Sequence, residues 1–363
     1  MSDLERFSAA SLMDFVNQAL QRMDVPPDDA QVTAKILVEA DLMGIESHGV
    51  AHLMVHPSYV LGFKQGLVNP RPNIRVMHET PSTALVDGDG GLGPVVGYRA
   101  MGIAIEKAKE CGTGMVAATR SRHYGIAGYY ALMAVPYDMI GLALTNSPPF
   151  MAPTFGRGRM LGTNPIAVAV PTRSGHPFLL DMATSTASHG KFEIARREDK
   201  PIPPTWGADE EGNPSSDITR IMSRGWLLPL GSTPDAASYK GYDLATVVDI
   251  LSGVLSGVGP SLQVEYIKHE VGHFFGAVRI DGFRPADEFK AAMDEMLDTF
   301  RSAPTVGGAD RVLVAGQREF ETRDERMAHG IPLHASVVGL LGRLSEEVGL
   351  PMPEPLPSDP SSK

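Results

Sequence analysis

Hydrophobic spacing divides the chain into helical ends and a strand-rich middle. In residues 8–24, "SAASLMDFVNQALQRMD", Leu12, Phe15, Val16 and Leu20 fall on one helical face, which predicts an amphipathic helix. A second helix is expected over "VPPDDAQVTAKILVEADLMGI", with prolines and aspartates at its start and Gly44 near its end. Helix is expected to continue through "ESHGVAHLMVHPSY" as far as Pro57 or slightly beyond. Short β-rich runs with turn residues between them follow in "NIRVMHETPSTALVDGDGGLG". Residues 94–112 read as a helix opened by Pro and closed by Gly. The apolar runs "GMVAATRS", "IGLALTNS", "PIAVAVP" and "PFLLDMATS" have strand length and are spaced by Gly and Pro. A Pro/Gly-rich loop fills 200–214, helix returns from about Tyr242 to Leu255, and the strand-like "FFGAVRID" precedes the helix "PADEFKAAMDEMLDTFRS". The tail "PMPEPLPSDPSSK" is expected to be disordered or loosely docked. The pattern is that of an α/β protein without internal repeats.

Composition narrows the function classes. At 363 residues, 43% hydrophobic and 21% charged, the chain can bury one large or two medium cores. A formal net charge of −11, without a Lys/Arg cluster, argues against nucleic acid or an anionic membrane as partner. The lone Cys111 cannot form an internal disulfide, which fits a reducing compartment. No charged-then-apolar leader opens the chain, and the apolar segments break before the roughly 18 residues of a spanning helix. The expectation is a cytoplasmic protein.

Three stretches carry candidate chemistry. "GDGGLG" at 88–93 satisfies G-x-G-x-x-G between a strand and a helix, the setting of a dinucleotide phosphate loop. Asp87 and Asp89 would repel phosphate, however, and the next strand lacks a terminal acid for the ribose, so an ordinary glycine turn is the preferred reading. "GIESHGVAHLMVHPSY" places His48, His52 and His56 at four-residue intervals. A metal would need at least two imidazoles converging with a third ligand, as in H-E-x-x-H; no glutamate lies between these histidines, although Asp and Glu elsewhere could serve, and Gly49 and Pro57 weaken the helix, so no metal is expected. On a helix, Ser47 and His48 would point about 100° apart, which disfavours a serine nucleophile deprotonated by its neighbour. A proton-moving His48, with Ser47 bonded to the imidazole or the substrate, is the stronger reading. In "SRHYGIAGYYA", His123 lies between an apolar strand and a helix opened by Gly125, where backbone N–H groups would face an anion.

Taken together, these segments resemble the type-2 malate/L-lactate dehydrogenase family. That group also holds ureidoglycolate, sulfolactate and diketogulonate oxidoreductases and a reductase of piperideine-2-carboxylate. The resemblance rests on "GIESHGVAHL" (44–53), "VDGDGGLGP" (86–94), "SRHYGIAGYY" (121–130), "LGTNPIAVAVP" (161–171), "LLDMATS" (179–185) and "GKFEIARREDKPIPPTWGADEEGNP" (190–214). "YKGYDLATVVDILSGVLSG" (239–257) and "GHFFGAVRIDGFRP" (272–285) complete it. It implies a non-Rossmann α/β fold. A largely antiparallel sheet domain over 76–324 would hold NAD or NADP, and 1–75 joined by 325–363 would form a helical substrate and dimer region. A homodimer acting on a small carboxylate is implied.

The resemblance also assigns roles. His48 is the proton-transfer group, with Ser47 and Asp181 as its relay. His123, Tyr124, Gly125, Ile126 and Ala127, then Asp181, Met182 and Ala183, then Lys240, and finally Gly316, Gln317, Arg318 and Glu319 line the cofactor. Thr163 and Asn164 are expected to face the site as hydrogen-bonding groups, or else to form a turn. One departure stands out: four residues after the histidine the family usually carries an arginine suited to grip a carboxylate, and this chain has His52. Arg122 is the candidate to compensate. The late cofactor loop departs too, with Ala315 before its glycine. The expected activity is hydride transfer between a nicotinamide and a 2-hydroxy acid/2-oxo acid pair, malate or lactate first. Reduction of a cyclic imino acid, a Ser/His hydrolase and a silent dinucleotide-binding homologue are the alternatives.

Overall fold

The computed structural model describes residues 4–197, 199–268 and 270–357. Strand β1 (Leu4–Phe7) leads into α1 (Ala9–Gln21), capped by the Ser8 hydroxyl accepting from the Ser11 N–H, and α2 (Pro27–Leu42), with Asp28 and Asp29 in its first turn. Short helices α3 (His52–Val55) and α4 (Val60–Lys64) follow. Then come β2 (Arg75–Glu79), β3 (Thr83–Asp87), α5 (Gly93–Cys111), β4 (Thr113–Ser121), α6 (Ala127–Leu132), β5 (Met139–Thr145), β6 (Ile166–Val170) and β7 (Phe178–Met182). A peripheral segment holds α7 (His189–Arg197), β8 (Gly207–Ala208), β9 (Pro214–Ser215), α8 (Ile218–Ser223) and β10 (Trp226–Leu227). The chain ends with α9 (Tyr239–Val248), β11 (Val271–Arg279), α10 (Ala286–Arg301), α11 (Gln317–His329), β12 (Ile331–His334) and α12 (Ala335–Val348).

The main sheet is mixed, with strand order β2-β3-β4-β11-β5-β6-β7. β3 and β4, joined by α5, run parallel; every other neighbouring pair in this sheet is antiparallel. One face packs against α5 and α6 through Val96, Ala100, Tyr130 and Phe275, and the other buries Ala117, Leu144 and Phe274 against Val248 of α9. Both faces being covered explains the near-continuous apolar runs in β4, β5 and β11. A second core joins the two chain ends: Phe7, Leu12 and Phe15 pack with Ile331, Leu333, Leu341 and Leu344, and β1 pairs with β12. Among the described residues no helix is long and apolar enough to cross a membrane.

One expectation needs correction, and a second is narrowed to one of its two alternatives. The helix expected from Tyr242 to Leu255 starts at Tyr239 and passes at Asp249 into a π-helical turn, because the Asp249 carboxylate is drawn inward by the Ser261 N–H and hydroxyl and the Asn146 amide. The tail is docked as far as it is described: the Leu356 N–H donates to the Arg6 carbonyl at 2.6 Å. Residues 358–363 of that expected tail lie outside the described residues.

Candidate active site

The stretch around His48 is not a continuous helix. α2 ends at Leu42, Gly44 turns the chain with a φ of 74°, and a single 3₁₀ turn spans Glu46–His48 before Gly49 goes extended. Gly49 is required by space. A Cβ there would lie 1.9 Å from Asp41 Oδ1, and Asp41 Oδ2 accepts the next N–H, that of Val50, at 2.7 Å. From the other side Arg326 of α11 donates to the Asp41 carbonyl and, at 3.0 Å, to Glu46. Burial pushes the Asp41 carboxyl up to about 7, more than the Val50 N–H lowers it.

The broken helix also reverses the geometric argument about Ser47. In the tighter turn its Oγ lies 2.9 Å from His48 Nδ1, where a regular helix would have splayed the two side chains apart. The ring of His48 stacks on His52 at 5.4 Å between centroids and on His123 at 5.3 Å. Burial, and secondarily nearby His189, push its pKa down to about 4, so the imidazole is neutral near pH 7. Among the described residues no carboxylate hydrogen-bonds it. His189 opens α7, is itself pushed down by burial, and is followed by Gly190, where a Cβ would lie 2.3 Å from that of Ser47. Sequence reasoning missed both Asp41 and His189. The signal for the first was a lone acid on the buried face of "ILVEADL"; for the second it was "SHG" at 188–190, repeating the triplet at 47–49.

Asp181 serves another place. It is the penultimate residue of β7, and its Oδ2 accepts the Gly128 N–H at 2.7 Å, at the start of α6. The helix start that the sequence suggested for an external anion thus already holds the chain's own carboxylate. Burial raises Asp181 to about 7, with Glu319 adding to the rise. Asp181, Gly316, Arg318 and Glu319 line one cleft of about 390 Å³ with Ile45 and Leu179. Gly316, at φ 86°, lets the late loop lie flat on β7, since a Cβ would meet Leu179 at 2.8 Å. Two segments 135 residues apart by number, Asp181 and Gly316, therefore build one wall.

The Malate/L-lactate dehydrogenase family matches residues 7–341. The chain belongs to this family. A malate dehydrogenase of Pyrococcus horikoshii is 46% identical over 343 residues, covering 93% of this chain and 94% of its own. An L-sulfolactate dehydrogenase of Methanocaldococcus jannaschii is 37% identical, covering 91% and 94%. The crystal structure of malate dehydrogenase from Entamoeba histolytica superposes with a TM-score of 0.94 at 33% identity, covering 97% of this chain and all of that one (100%).

Within this malate/L-lactate dehydrogenase family member, several residues singled out by sequence are otherwise engaged. Arg122 is buried and its guanidinium donates to the Lys268 and Leu67 carbonyls, so it does not replace the missing arginine. Asn164 is fully buried at a φ of 34° and bonded to the Ser147 N–H, the Ser261 hydroxyl and the Ala245 carbonyl; it shapes a turn and does not face the site. Thr163 is tied to Ser147 through its N–H. Lys240 is exposed in the first turn of α9. In "HYGIA", Tyr124, Ile126 and Ala127 point into the core and Gly125 takes φ 81°, which leaves His123 as the partly open side chain. Met182, Ala183 and Gln317 lie beside the Asp181 cleft in sequence, with Gln317 bonded to Glu321. In "GDGGLG" the N–H groups of Gly88, Gly90 and Gly91 are spent on the Thr119, Arg120 and Gly88 carbonyls, and Asp87 is clamped by Arg120. The 580 Å³ depression beside this turn is lined by Asp24 and Asp89 without a Lys or Arg, and its Asn69 amide already donates to Asp89, a poor setting for pyrophosphate.

Proposed function

We propose that this protein is a nicotinamide-dependent dehydrogenase of small 2-hydroxy acids, with malate or sulfolactate preferred over lactate. The observation that carries it is His48: a neutral, partly buried imidazole, oriented by Ser47 through Nδ1. With Nδ1–H donating to the Ser47 hydroxyl, Nε2 is left to take the substrate hydroxyl proton, and in reduction to return it. When bound, NAD or NADP supplies the hydride acceptor for C2. The cleft of Asp181, Gly316 and Arg318 fits such a group: its glycine admits close backbone approach and Arg318 offers a cation toward phosphate. His52 and His123, stacked beside His48, are the groups assigned to meet the substrate carboxylate. Two named relatives, malate and L-sulfolactate dehydrogenases, act on acids with a second anionic group, which favours these over lactate. The protein is expected to work as a cytoplasmic homodimer.

The test is a panel of 2-hydroxy acids and one cyclic imino acid with both dinucleotides, following reduced nicotinamide by absorbance. Turnover of malate or sulfolactate, abolished by His48→Ala while dinucleotide still binds, supports the assignment. Ester or amide hydrolysis without dinucleotide reduction refutes it, as does equal loss of turnover and dinucleotide affinity in His48→Ala.

A further inference from the structure

The fold supplies what the histidine run lacks on its own. His52 opens α3 and His56 closes it, with the His56 N–H donating to the His52 carbonyl at 3.0 Å, so the two side chains leave one helical turn on the same face. His123 reaches them from the loop between β4 and α6. One ring nitrogen from each of the three lies within 4.8 Å of the others, and all three side chains are partly open. We propose that His52, His56 and His123 bind one divalent ion of the zinc, cobalt and nickel class.

The chemistry suits that class. An i, i+4 imidazole pair plus a third imidazole is a nitrogen-only donor set, matching borderline cations and leaving a fourth position for water. A tetrahedral ion with Zn–N bonds of about 2.0–2.1 Å needs nitrogens about 3.4 Å apart, so the cluster must tighten by roughly an ångström. It must also turn. The rings now lie nearly flat on one another, 20° between His52 and His56, 20° between His52 and His123, and 40° between His56 and His123, whereas a shared ion needs their edges inward. Such rotation must exchange existing contacts, among them the Ser58 N–H on His56 Nδ1 at 3.2 Å and, on His123 Nδ1, the Gly125 N–H at 3.3 Å and the Tyr59 hydroxyl at 3.4 Å. Protons compete for the same nitrogens, so affinity falls as pH drops. Because His48 stacks on both His52 and His123, an ion held here sits beside the proposed base, where the substrate carboxylate is expected; this last consequence rests on the proposed function, but the binding does not.

The experiment titrates Co²⁺ alone into the full chain and follows its visible d–d bands, then displaces it with Zn²⁺. One saturating equivalent with four-coordinate intensity, weakened about tenfold or more by His56→Gln and unchanged by His334→Gln, is the expected result. If His56→Gln fails to fold, Zn²⁺ titration of the wild-type chain followed by histidine-ring NMR shows three perturbed rings or overturns the proposal. Absence of saturable binding, binding indifferent to His52→Gln and His56→Gln, or a response to sulfate but not to Co²⁺ each overturns it. In the enzyme assay Zn²⁺ competes with the acid and chelation restores the rate. A chain that binds Co²⁺ in this way but oxidises no hydroxy acid upholds the metal site and refutes the function instead.

Discussion

The sharpest prediction concerns the acid limb of the pH–rate profile. In the proposed oxidation His48 must be unprotonated, and burial with His189 beside it holds its pKa at about 4 against the ordinary 6.5. At pH 5 an ordinary histidine would leave about one molecule in thirty competent, whereas a base at 4 leaves about nine in ten. The measurement is kcat/KM for the preferred acid from neutral pH down to about pH 4, since that parameter reports the free enzyme. The acid's own ionisation is separated by repeating the series with His189→Gln, which should raise the enzyme's limb and leave the substrate's unmoved. In the reducing direction the sign reverses: the imidazolium is required, only about one in a thousand molecules carries it at pH 7, and the rate should climb as pH falls. An oxidation limb centred at 6.5 or above, or one unmoved by His189→Gln, refutes the reasoning.

Asp41→Asn tests the buried carboxyl under the Glu46–His48 turn. Its pKa is about 7 folded against 3.8 unfolded, so the wild-type protein loses stability as pH rises between these values, by an upper limit of about 4 kcal/mol, and the variant should not; thermal melts across that range check it, and parallel curves would count against it. Gly49→Ala drives a methyl into Asp41 and should cost about 1–3 kcal/mol and most of the activity, with chemical denaturation and initial rates as readouts; a fully active, equally stable variant would show that the turn has room to shift. His52→Arg restores a planar fork beside His48 and should lower KM for carboxylate substrates about tenfold, worth about 1.4 kcal/mol. Unchanged or higher KM for every acid would place the carboxylate elsewhere.

The long elements were legible because each buries one face. Leu12, Phe15, Val16 and Leu20 pack as their spacing demanded, and Pro94 and Gly112 bound α5 as helix punctuation should. The family motifs pointed to His48 as the proton-transfer group with Ser47 beside it, and the two side chains are in hydrogen-bond contact. Illegible features share a cause: they depend on what a residue meets from elsewhere. Arg122 and Asn164 looked like free polar groups, but carbonyls and hydroxyls from distant loops consume them. Asp181 looked like a relay partner, yet its carboxylate accepts the Gly128 N–H at the start of α6. His56 and His123 are 67 positions apart by number and meet only once β4 and α3 are placed.

A base at about 4 is a weak one, and its weakness has a physical role once substrate is considered. What holds the pKa down is the cost of burying a cation beside His189, with no carboxylate among the described residues hydrogen-bonded to the ring. An incoming hydroxy acid brings that negative charge itself. Docked against His52 and His123, its carboxylate stabilises the imidazolium that forms as the hydroxyl proton leaves, so the pKa of His48 rises toward the working range only in the complex. On this view the missing internal acid is compensated by the substrate. The profile of kcat should therefore break at higher pH than that of kcat/KM, by more for a dianionic acid than for a monoanionic one. Coincident breaks would mean that the carboxylate binds too far away to be felt, and that Asp181 or another group must be sought for the task.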